Sequence, residues 1–474
     1  MLNFGGKRAS GYGGISLTKG MFPVHLNKDA LLRHQLVLGT TGSGKTEYLL
    51  ALAEAQIGQG AGLVFVDGKG EQTLRSRLMG ISEHFGRHHD FFVMDFSSGV
   101  RTHGFNPLAH ADERDISEFL IQLMDSPGQV DVWKGRAMAL LRAAVAVSVG
   151  LRREDFIPHF AFLRRVLLLP NLVAVANQLP LKEPDHFVET KILPLTIRER
   201  VIAYLDALPG FSWNRANNLA RLPSETVAQH GYLLGNLYRF MDDLVHNFGH
   251  IFVSGNGDID MSDILDRHRI LLILLPSLSQ SPEMLRAMGR LVLGSLRAAM
   301  RQRLLRQEYT GDLPPNLVIM DEVGSYAMPG LDMMAAQARS LDVAMLFASQ
   351  TLASLQQAGR SLSENILGNC GTKVFLRCED PFATAELARK MSPQIPQPTR
   401  QRLLRHQGIW RSSWVEGSDA LLEYRQMIDY DALAQLPPGR GYVVRGYDAR
   451  KCRFRRSFIA PSISDLVTHR HHHG

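Results

Sequence analysis

The sequence predicts an α/β fold with a mostly parallel sheet, into which an all-α domain is inserted. Three observations support this prediction. A glycine-rich loop lies between an apolar segment and a helical pattern, short apolar segments alternate with helical patterns before residue 112 and after residue 250, and between those two positions strand patterns are absent. Buried strands that alternate with helices are typical of a parallel sheet, because each parallel connection requires a crossover.

The composition is that of a globular protein. The chain has 474 residues, of which 45% are hydrophobic and 21% charged, enough for two or three cores. Its net charge of +7 suits a polyanionic partner such as nucleic acid or an acidic membrane face. Three cysteines without zinc-type spacing predict neither a disulfide framework nor a metal site, and they favour a reduced cytosolic compartment. No signal-peptide pattern or long uncharged apolar run occurs, so we expect the chain as given to be soluble.

The first 30 residues have the composition of a flexible lead-in. Their glycines and basic residues predict a linker rather than a second nucleotide loop. The residues concerned are Gly5, Gly6, Lys7, Arg8, Gly11, Gly13 and Gly14.

The run GTTGSGKT at residues 39–46 meets every position of the phosphate-binding loop pattern. Residues 36–38 form the apolar strand before it, and a helix follows it with its N-terminus toward the phosphates. Lys45 is expected to neutralise the β- and γ-phosphates of ATP, and Thr46 to offer its hydroxyl to Mg²⁺. The residues predicted to bind the nucleotide are Gly39, Thr40, Thr41, Gly42, Ser43, Gly44, Lys45 and Thr46.

Further strands and helices complete the predicted organisation. Buried strands are predicted at residues 62–67, 90–95, 269–275, 316–320, 343–348 and 372–376, with a long helix at 282–307 and a late hairpin of residues 441–444 and 452–459. Prolines divide the helical block into short segments. The predicted parts are a lead-in (1–30), a nucleotide-binding domain in two pieces (31–111 and 251–460), the all-α domain (112–250) and a tail (461–474). His469 to His473 in that tail fit a frayed end or a metal-binding tract.

An apolar strand that ends in Asp321 and Glu322 predicts the second half of the nucleotide site. Asp321 is expected to hold the water shell of Mg²⁺, and Glu322 to orient or deprotonate the attacking water. The 275 positions between Thr46 and Asp321 exclude a simple small GTPase. No LSGGQ stretch is present, which argues against ATP sandwiches of the transporter type.

Two residues near this strand have two interpretations each. Gln350 follows an apolar strand, where its amide is either a sensor of the γ-phosphate or a polar strand-end cap. Arg339 lies 18 positions after Asp321. It is either an arginine finger offered to a neighbouring subunit or a cation at a helix C-terminus.

The ordered motifs resemble the type IV coupling proteins of the TraG/TraD kind. The resemblance rests on the phosphate loop, Asp321 with Glu322, and further runs in the family's order. These runs are DGKGE at 67–71, FNPL at 105–108, SQ at 349–350, GNCGTK at 368–373 and DP at 380–381. The resemblance implies a RecA-like motor domain, a ring that is usually hexameric, and ATP-driven delivery of DNA and proteins into a secretion channel at the cytoplasmic face of the bacterial inner membrane.

The resemblance also carries site roles onto matching positions. Lys45 and Thr46 would bind phosphate and Mg²⁺, Asp321 and Glu322 would act in hydrolysis, and Gln350 would sense nucleotide. Asp67 and Lys69 end a strand beside the phosphate loop, where open α/β sheets bind ligands, although a tight turn explains that run equally well.

Two departures from the family pattern stand out. Family members commonly begin with transmembrane helices, so either an anchor has been removed or a separate protein supplies it. Gly68 also stands where the family often has proline.

Two other functions stay open from the sequence. One is a double-stranded DNA translocase of the chromosome-segregation kind, which should lack the helical insertion and FNPL. The other is a receptor or scaffold in which ATP sets ring assembly while protein substrates are recruited. No base-reading motif is visible, so any DNA contact should be independent of sequence and dominated by phosphates.

Overall fold

The computed structural model describes residues 13–18, 23–97, 102–123, 131–216, 222–277, 280–306, 314–406 and 412–462. Most strands belong to one nine-stranded sheet, in the order β15-β14-β11-β3-β10-β9-β4-β8-β5. The strands are β1 (Ile15–Ser16), β2 (His25–Leu26), β3 (Gln35–Leu38), β4 (Leu63–Asp67), β5 (Phe91–Asp95), β6 (Leu181–Lys182), β7 (Phe187–Val188), β8 (Ile270–Leu274), β9 (Asn316–Asp321), β10 (Val343–Ser349), β11 (Thr372–Phe375), β12 (Gln394–His406), β13 (Ser412–Gln426), β14 (Arg440–Arg445) and β15 (Asp448–Arg453).

Helices cover both faces of the sheet and fill the region between β5 and β8. They are α1 (Lys28–Leu32), α2 (Lys45–Gly58), α3 (Gln72–His84), α4 (Pro107–His110), α5 (Glu113–Leu123), α6 (Asp131–Gly150), α7 (Phe160–Val166), α8 (Leu169–Ala176), α9 (Leu195–Asp206), α10 (Trp213–Ala216), α11 (Ser224–Asp242), α12 (Met261–Asp266), α13 (Pro282–Arg306), α14 (Leu331–Ala338), α15 (Leu352–Gln356), α16 (Arg360–Asn369), α17 (Ala383–Met391) and α18 (Tyr430–Ala434). Within the described ranges, no helix is both long and apolar enough to cross a membrane.

Parallel pairing brings the predicted site to one edge of the sheet. β3, β10, β9 and β4 are adjacent and parallel, with Leu38 opposite Ser349 and Asp67 opposite Asp321. The segments that follow these four strands therefore meet at their shared carboxyl edge, where α/β sheets bind ligands.

The strands divide the apolar core into two layers because their side chains alternate between faces. Val37 and Phe65 face one layer with Tyr48 of α2, whereas Leu36 and Val66 face the other layer. The second layer continues without interruption into the helices between β5 and β8.

Helix α5 packs against α13 and not only against the inserted helices. A Cβ atom on Gly294 of α13 would lie 2.7 Å from Cβ of Phe119 in α5, so the two backbones approach closely there. Arg301 of α13 pairs with Asp115 at 2.9 Å and also with Asp112. The predicted boundary at residue 112 thus falls ahead of a helix that is attached to the second part of the sheet domain, and the domain limits stay a prediction.

The predicted flexible lead-in is wrong for residues 13–18 and 23–30. There β1 pairs with β2, and Ile15, Leu17, Val24 and Leu26 are buried in the same layer as Tyr48. These apolar residues alternate with polar ones, which is the strand period. The glycine content concealed that signal. Residues 1–12 and 19–22 lie outside the described ranges.

Three other features differ from the sequence expectations. The second strand of the late hairpin is Asp448–Arg453, because the chain reverses at Gly446, whose φ is 60°. A short β6–β7 hairpin interrupts the helical block, and the long β12–β13 hairpin had no predicted counterpart. The predicted histidine-rich end lies outside the described residues.

Candidate nucleotide-binding site

The glycine-rich loop connects β3 to α2 in a conformation that requires glycine. Gly44 precedes α2 with a φ of 92°, which L-residues rarely adopt. A Cβ atom there would lie 2.8 Å from the backbone nitrogen of Gly439, and one on Gly39 would lie 2.7 Å from Oγ of Ser43. The loop is therefore a tight backbone cradle at the N-terminus of a 14-residue helix, which favours an anion.

Two later segments support this loop, and sequence reasoning missed both. Gly439 donates its N–H to the carbonyl of Ser43 at 2.9 Å, and Thr40 donates its N–H to the carbonyl of Arg377 at 2.9 Å. The Arg377 guanidinium reaches the carbonyl of Thr41 at 3.4 Å. The PPGRG run at residues 437–441 indicates a turn at Gly439 but does not indicate its contact with Ser43.

Lys45 lies between the loop and the end of β9. Its side chain is only 4% exposed, and its Nζ atom is 2.6 Å from Oε1 of Glu322 and 3.1 Å from Oδ1 of Asp321. The structure thus brings together the three charged residues that the sequence predicted for phosphate, metal and water, across a separation of more than 270 positions.

Glu322 sits immediately after β9 in a left-handed conformation with φ 52°. Strained backbone of this kind is concentrated at functional sites. Burial raises the pKa of the Glu322 carboxyl, but Lys45, Lys69 and Gln350 outweigh burial and bring the pKa below its usual value. The carboxylate is therefore ionised at neutral pH and available as a proton acceptor.

Gln350 and Lys69 also approach Glu322. Gln350 follows β10, and its Nε2 donates to Oε1 of Glu322 at 3.2 Å. Lys69 follows β4, and its Nζ is 3.5 Å from the same oxygen. Both predicted residues therefore lie in the site, while their roles toward nucleotide stay predictions.

Asp67 is buried beside these groups, but both its carboxylate oxygens serve its own turn. Oδ1 accepts the N–H of Lys69 at 3.0 Å, and Oδ2 accepts the N–H of Glu71 at 2.7 Å. Burial raises the pKa of Asp67 to about 6, with nearby Asp321 adding to the increase and the two N–H donors opposing it. This geometry favours the tight-turn interpretation over direct ligand binding.

The predicted metal ligands Thr46 and Asp321 are hard oxygen donors of the type that Mg²⁺ prefers. Among the described residues, no group of three or more His, Cys, Asp or Glu side chains could hold a metal. Mg²⁺ keeps several waters and uses substrate phosphates, so a sparse protein ligand set fits it. Ser43 and Ser349 each bury a hydroxyl oxygen for which the described residues provide no hydrogen-bond partner, which also fits a polar ligand at this edge.

Arg339 lies away from the other predicted site residues. It begins the short turn Arg339–Leu341, which leads into the amino end of β10, whereas Gln350 follows the carboxyl end of that strand. Its side chain is exposed. Arg339 therefore does not join the site of its own chain, and both the helix-end role and the role toward a neighbouring subunit stay open.

The fold is of the RecA type, and the predicted fold class is confirmed. The unbound conjugative coupling protein TrwBdeltaN70 aligns with a TM-score of 0.60 and 15% identity over 96% of this chain and 91% of its own. TrwB in complex with ADP and Mg²⁺ aligns with a TM-score of 0.57 and 16% identity over 92% of this chain and 88% of its own. VirB4 of Thermoanaerobacter pseudethanolicus aligns with a TM-score of 0.51 and 12% identity over 94% of this chain and 97% of its own.

Within that class, the predicted resemblance to type IV coupling proteins is confirmed. Residues 315–438 match the family described as the TraM recognition site of TraD and TraG. The chain is also 28% identical over 442 residues to the type 4 coupling protein DotL of Legionella pneumophila subsp. pneumophila, strain Philadelphia 1. That match covers 88% of this chain and 56% of DotL, so the chain spans just over half the length of this relative.

Proposed function

We propose that the chain is an ATP-hydrolysing coupling protein that recruits DNA, protein substrates or both and powers their transfer into a type IV secretion or conjugation channel. The observation that carries the proposal is the convergence of Lys45, Asp321, Glu322 and Gln350 behind a phosphate loop. The similarity to DotL and to TrwB supports the coupling role.

The chain's residues divide the proposed reaction among themselves. Backbone N–H groups of residues 39–46 and the ammonium of Lys45 would hold the phosphates of ATP, while Thr46 and Asp321 would hold Mg²⁺ and its waters. Bound Mg²⁺ neutralises phosphate charge. Glu322 would accept a proton from the attacking water, and Gln350 would orient that water. TrwB structures with ADP and Mg²⁺ and with the ATP analogue ADPNP support the binding of nucleotide and Mg²⁺.

The assembly and its location are part of the same proposal. The active unit would be a homo-hexameric ring at the cytoplasmic face of the bacterial inner membrane. Arg339 would then act, if at all, on the nucleotide of the adjacent subunit. This part of the proposal follows from the resemblance to type IV coupling proteins, whereas the matches to DotL and to the TraM recognition site support the coupling role.

Two observations weigh against the other functions left open. Helices α5–α11 and FNPL both lie between β5 and β8, and the translocase alternative should lack them. Lys45 in contact with Glu322 argues against a receptor that binds ATP without hydrolysing it.

Nucleotide binding by Lys45→Ala tests the site itself. Removing the ammonium leaves the phosphates without their principal cation, so the variant should no longer bind a fluorescent ATP analogue. Arg360→Ala, which removes an 84% exposed side chain on α16, is the matched control and should bind normally. Normal binding by a folded Lys45→Ala protein would remove the proposed site.

A further inference from the structure

A strongly basic segment lies along one edge of the sheet. We call residues 440–456 the basic edge. They contain seven arginines and lysines and a single acidic residue, Asp448, and so carry a net charge of +6.

The basic edge follows the outermost strands. β15 is the terminal strand of the nine-stranded sheet and pairs only with β14 inside it. The side chains of Arg450, Lys451, Arg453, Arg455 and Arg456 are exposed. Arg450 pairs with Asp448 at 2.9 Å, and the other exposed cations present positive charge to solvent, where it is open to a polyanion.

Two aromatic rings are exposed beside these cations. Tyr447 forms the turn between β14 and β15 and is 96% exposed, and Phe458 lies just beyond the basic edge and is 78% exposed. Every other exposed side chain at residues 440–458 is charged. Exposed rings among arginines are the combination that proteins use to stack nucleic-acid bases while binding the backbone.

Protection of the sheet edge explains only part of this pattern. Charged residues on a terminal strand prevent edge-to-edge aggregation. That role accounts for Arg450, Lys451 and Arg453. It does not require exposed Tyr447, and it does not require Arg455, whose backbone N–H is already bonded to the carbonyl of Leu17 at 3.1 Å.

The basic edge also begins at the nucleotide loop. Gly439, which precedes it, donates its N–H to Ser43 of that loop at 2.9 Å. The guanidinium of Arg456 packs over Gly439, where a Cβ atom would be 3.4 Å from Nη2. The first residue of the basic edge, Arg440, therefore directly follows the segment that contacts the phosphate loop.

We propose that the basic edge binds single-stranded nucleic acid through phosphate contacts of its arginines and stacking of a base on Tyr447. The proposal rests on the proposed function for the presence of a nucleic-acid cargo. Arginine outnumbers lysine six to one in the segment. Its planar guanidinium suits bidentate phosphate contacts, and the segment exposes no aliphatic side chain that would enter a bilayer.

The test uses a fluorescein-labelled oligothymidylate of about 30 nucleotides and a fluorescence anisotropy titration at several salt concentrations. The main variant replaces Lys451, Arg453 and Arg455 by glutamine. A matched control replaces three exposed cations elsewhere, Arg360, Arg389 and Lys390, and makes the same change in net charge. A third variant is Tyr447→Ala, which removes a fully solvated ring.

Each variant has a distinct expected result. Single-strand binding releases about 0.7 counterions per phosphate contact, so losing three contacts should lower the salt slope by about 2 and weaken binding on the order of 10²-fold at about 0.1 M salt. The control should bind like the wild type. Tyr447→Ala should weaken single-strand binding on the order of tenfold and leave the affinity for a duplex of the same length unchanged.

Several outcomes would overturn the proposal. If the Lys451/Arg453/Arg455 variant binds the oligonucleotide as tightly as the wild type, the basic edge is not the binding surface. If the control variant loses as much affinity as the main variant, net charge alone explains the binding. If the Lys451/Arg453/Arg455 variant loses binding to anionic phosphatidylserine vesicles but keeps oligonucleotide binding, the surface is a membrane contact. If that variant self-associates and still binds the oligonucleotide, the surface serves edge protection. If the wild type binds no nucleic acid, the proposal of a DNA cargo is wrong as well. Binding of ATP by every variant serves as the control that each one is folded.

Discussion

Replacing Glu322 by glutamine should separate ATP binding from ATP hydrolysis. The side chain keeps its size and a hydrogen-bonding oxygen, and Lys45 keeps its second partner, Asp321, at 3.1 Å. The local charge of Lys45, Lys69, Asp321 and Glu322 changes from balanced to +1. We therefore expect the variant to fold and to bind the ATP polyanion at least as tightly as the wild type.

Hydrolysis should respond differently, because an amide cannot accept the proton of the attacking water. General-base catalysis contributes about 10²–10⁴ in rate, so turnover should fall at least ~10²-fold. In the nucleotide-free protein, Lys45 and Lys69 outweigh burial and lower the pKa of the Glu322 carboxyl, so wild-type kcat/KM should lose this base only below the usual glutamate range.

Phosphate release and binding of a fluorescent ATP analogue, measured on the same preparation, check this prediction. Lys45→Ala provides the background without bound nucleotide. Turnover at the wild-type rate in Glu322→Gln, above that background, would refute the assignment of the base. Failure of the folded variant to bind ATP would refute the charge argument.

Four further predictions follow from the structure. Gly44→Ala should abolish nucleotide binding, because its Cβ would meet Gly439 at 2.8 Å and its φ of 92° is strained; isothermal calorimetry checks this. The pKa of Asp67 is raised to about 6 in the folded state, so deprotonation of this carboxyl should lower the free energy of unfolding by about 3 kcal/mol as pH rises from about 4 to 7. Asp67→Asn should remove that pH dependence from urea unfolding curves. If Arg339 serves a neighbouring subunit, Arg339→Ala should lower turnover about 10³-fold or more with ATP affinity intact, and mixing this variant with Lys45→Ala should restore some activity. A mixed ring without activity would leave Arg339 with the helix-end role. Excision of residues 131–250, which keeps α5 on α13, should leave a protein that binds ATP, whereas loss of binding in a folded product would place the insertion boundary elsewhere.

Local pattern was sufficient to predict the sheet and to select the residues that converge at the candidate site. Strong apolar runs identified β4, β8 and β9, and the chemistry of the loop at residues 39–46 pointed to the edge where Lys45, Asp321 and Glu322 meet. Parallel pairing then required Asp321 and Glu322 to lie beside Lys45, because the carboxyl ends of adjacent parallel strands meet.

The remaining features depend on contacts between distant segments. Nothing local marks Gly439 as the partner of Ser43, or Arg377 as the partner of Thr40, since each pair lies more than 330 positions apart. The attachment of α5 to α13 is of the same kind. The prediction of a flexible lead-in was wrong for another reason. It gave more weight to the glycine content than to the short alternation of apolar residues at Ile15 and Leu17.

The central claim is that this site hydrolyses ATP, and steady-state phosphate release by the purified wild-type chain tests it most directly. We expect release that requires Mg²⁺, is absent in Lys45→Ala, and falls at least ~10²-fold in Glu322→Gln. Assembled wild-type protein that binds ATP with Mg²⁺ but releases no phosphate above the Lys45→Ala background would contradict it.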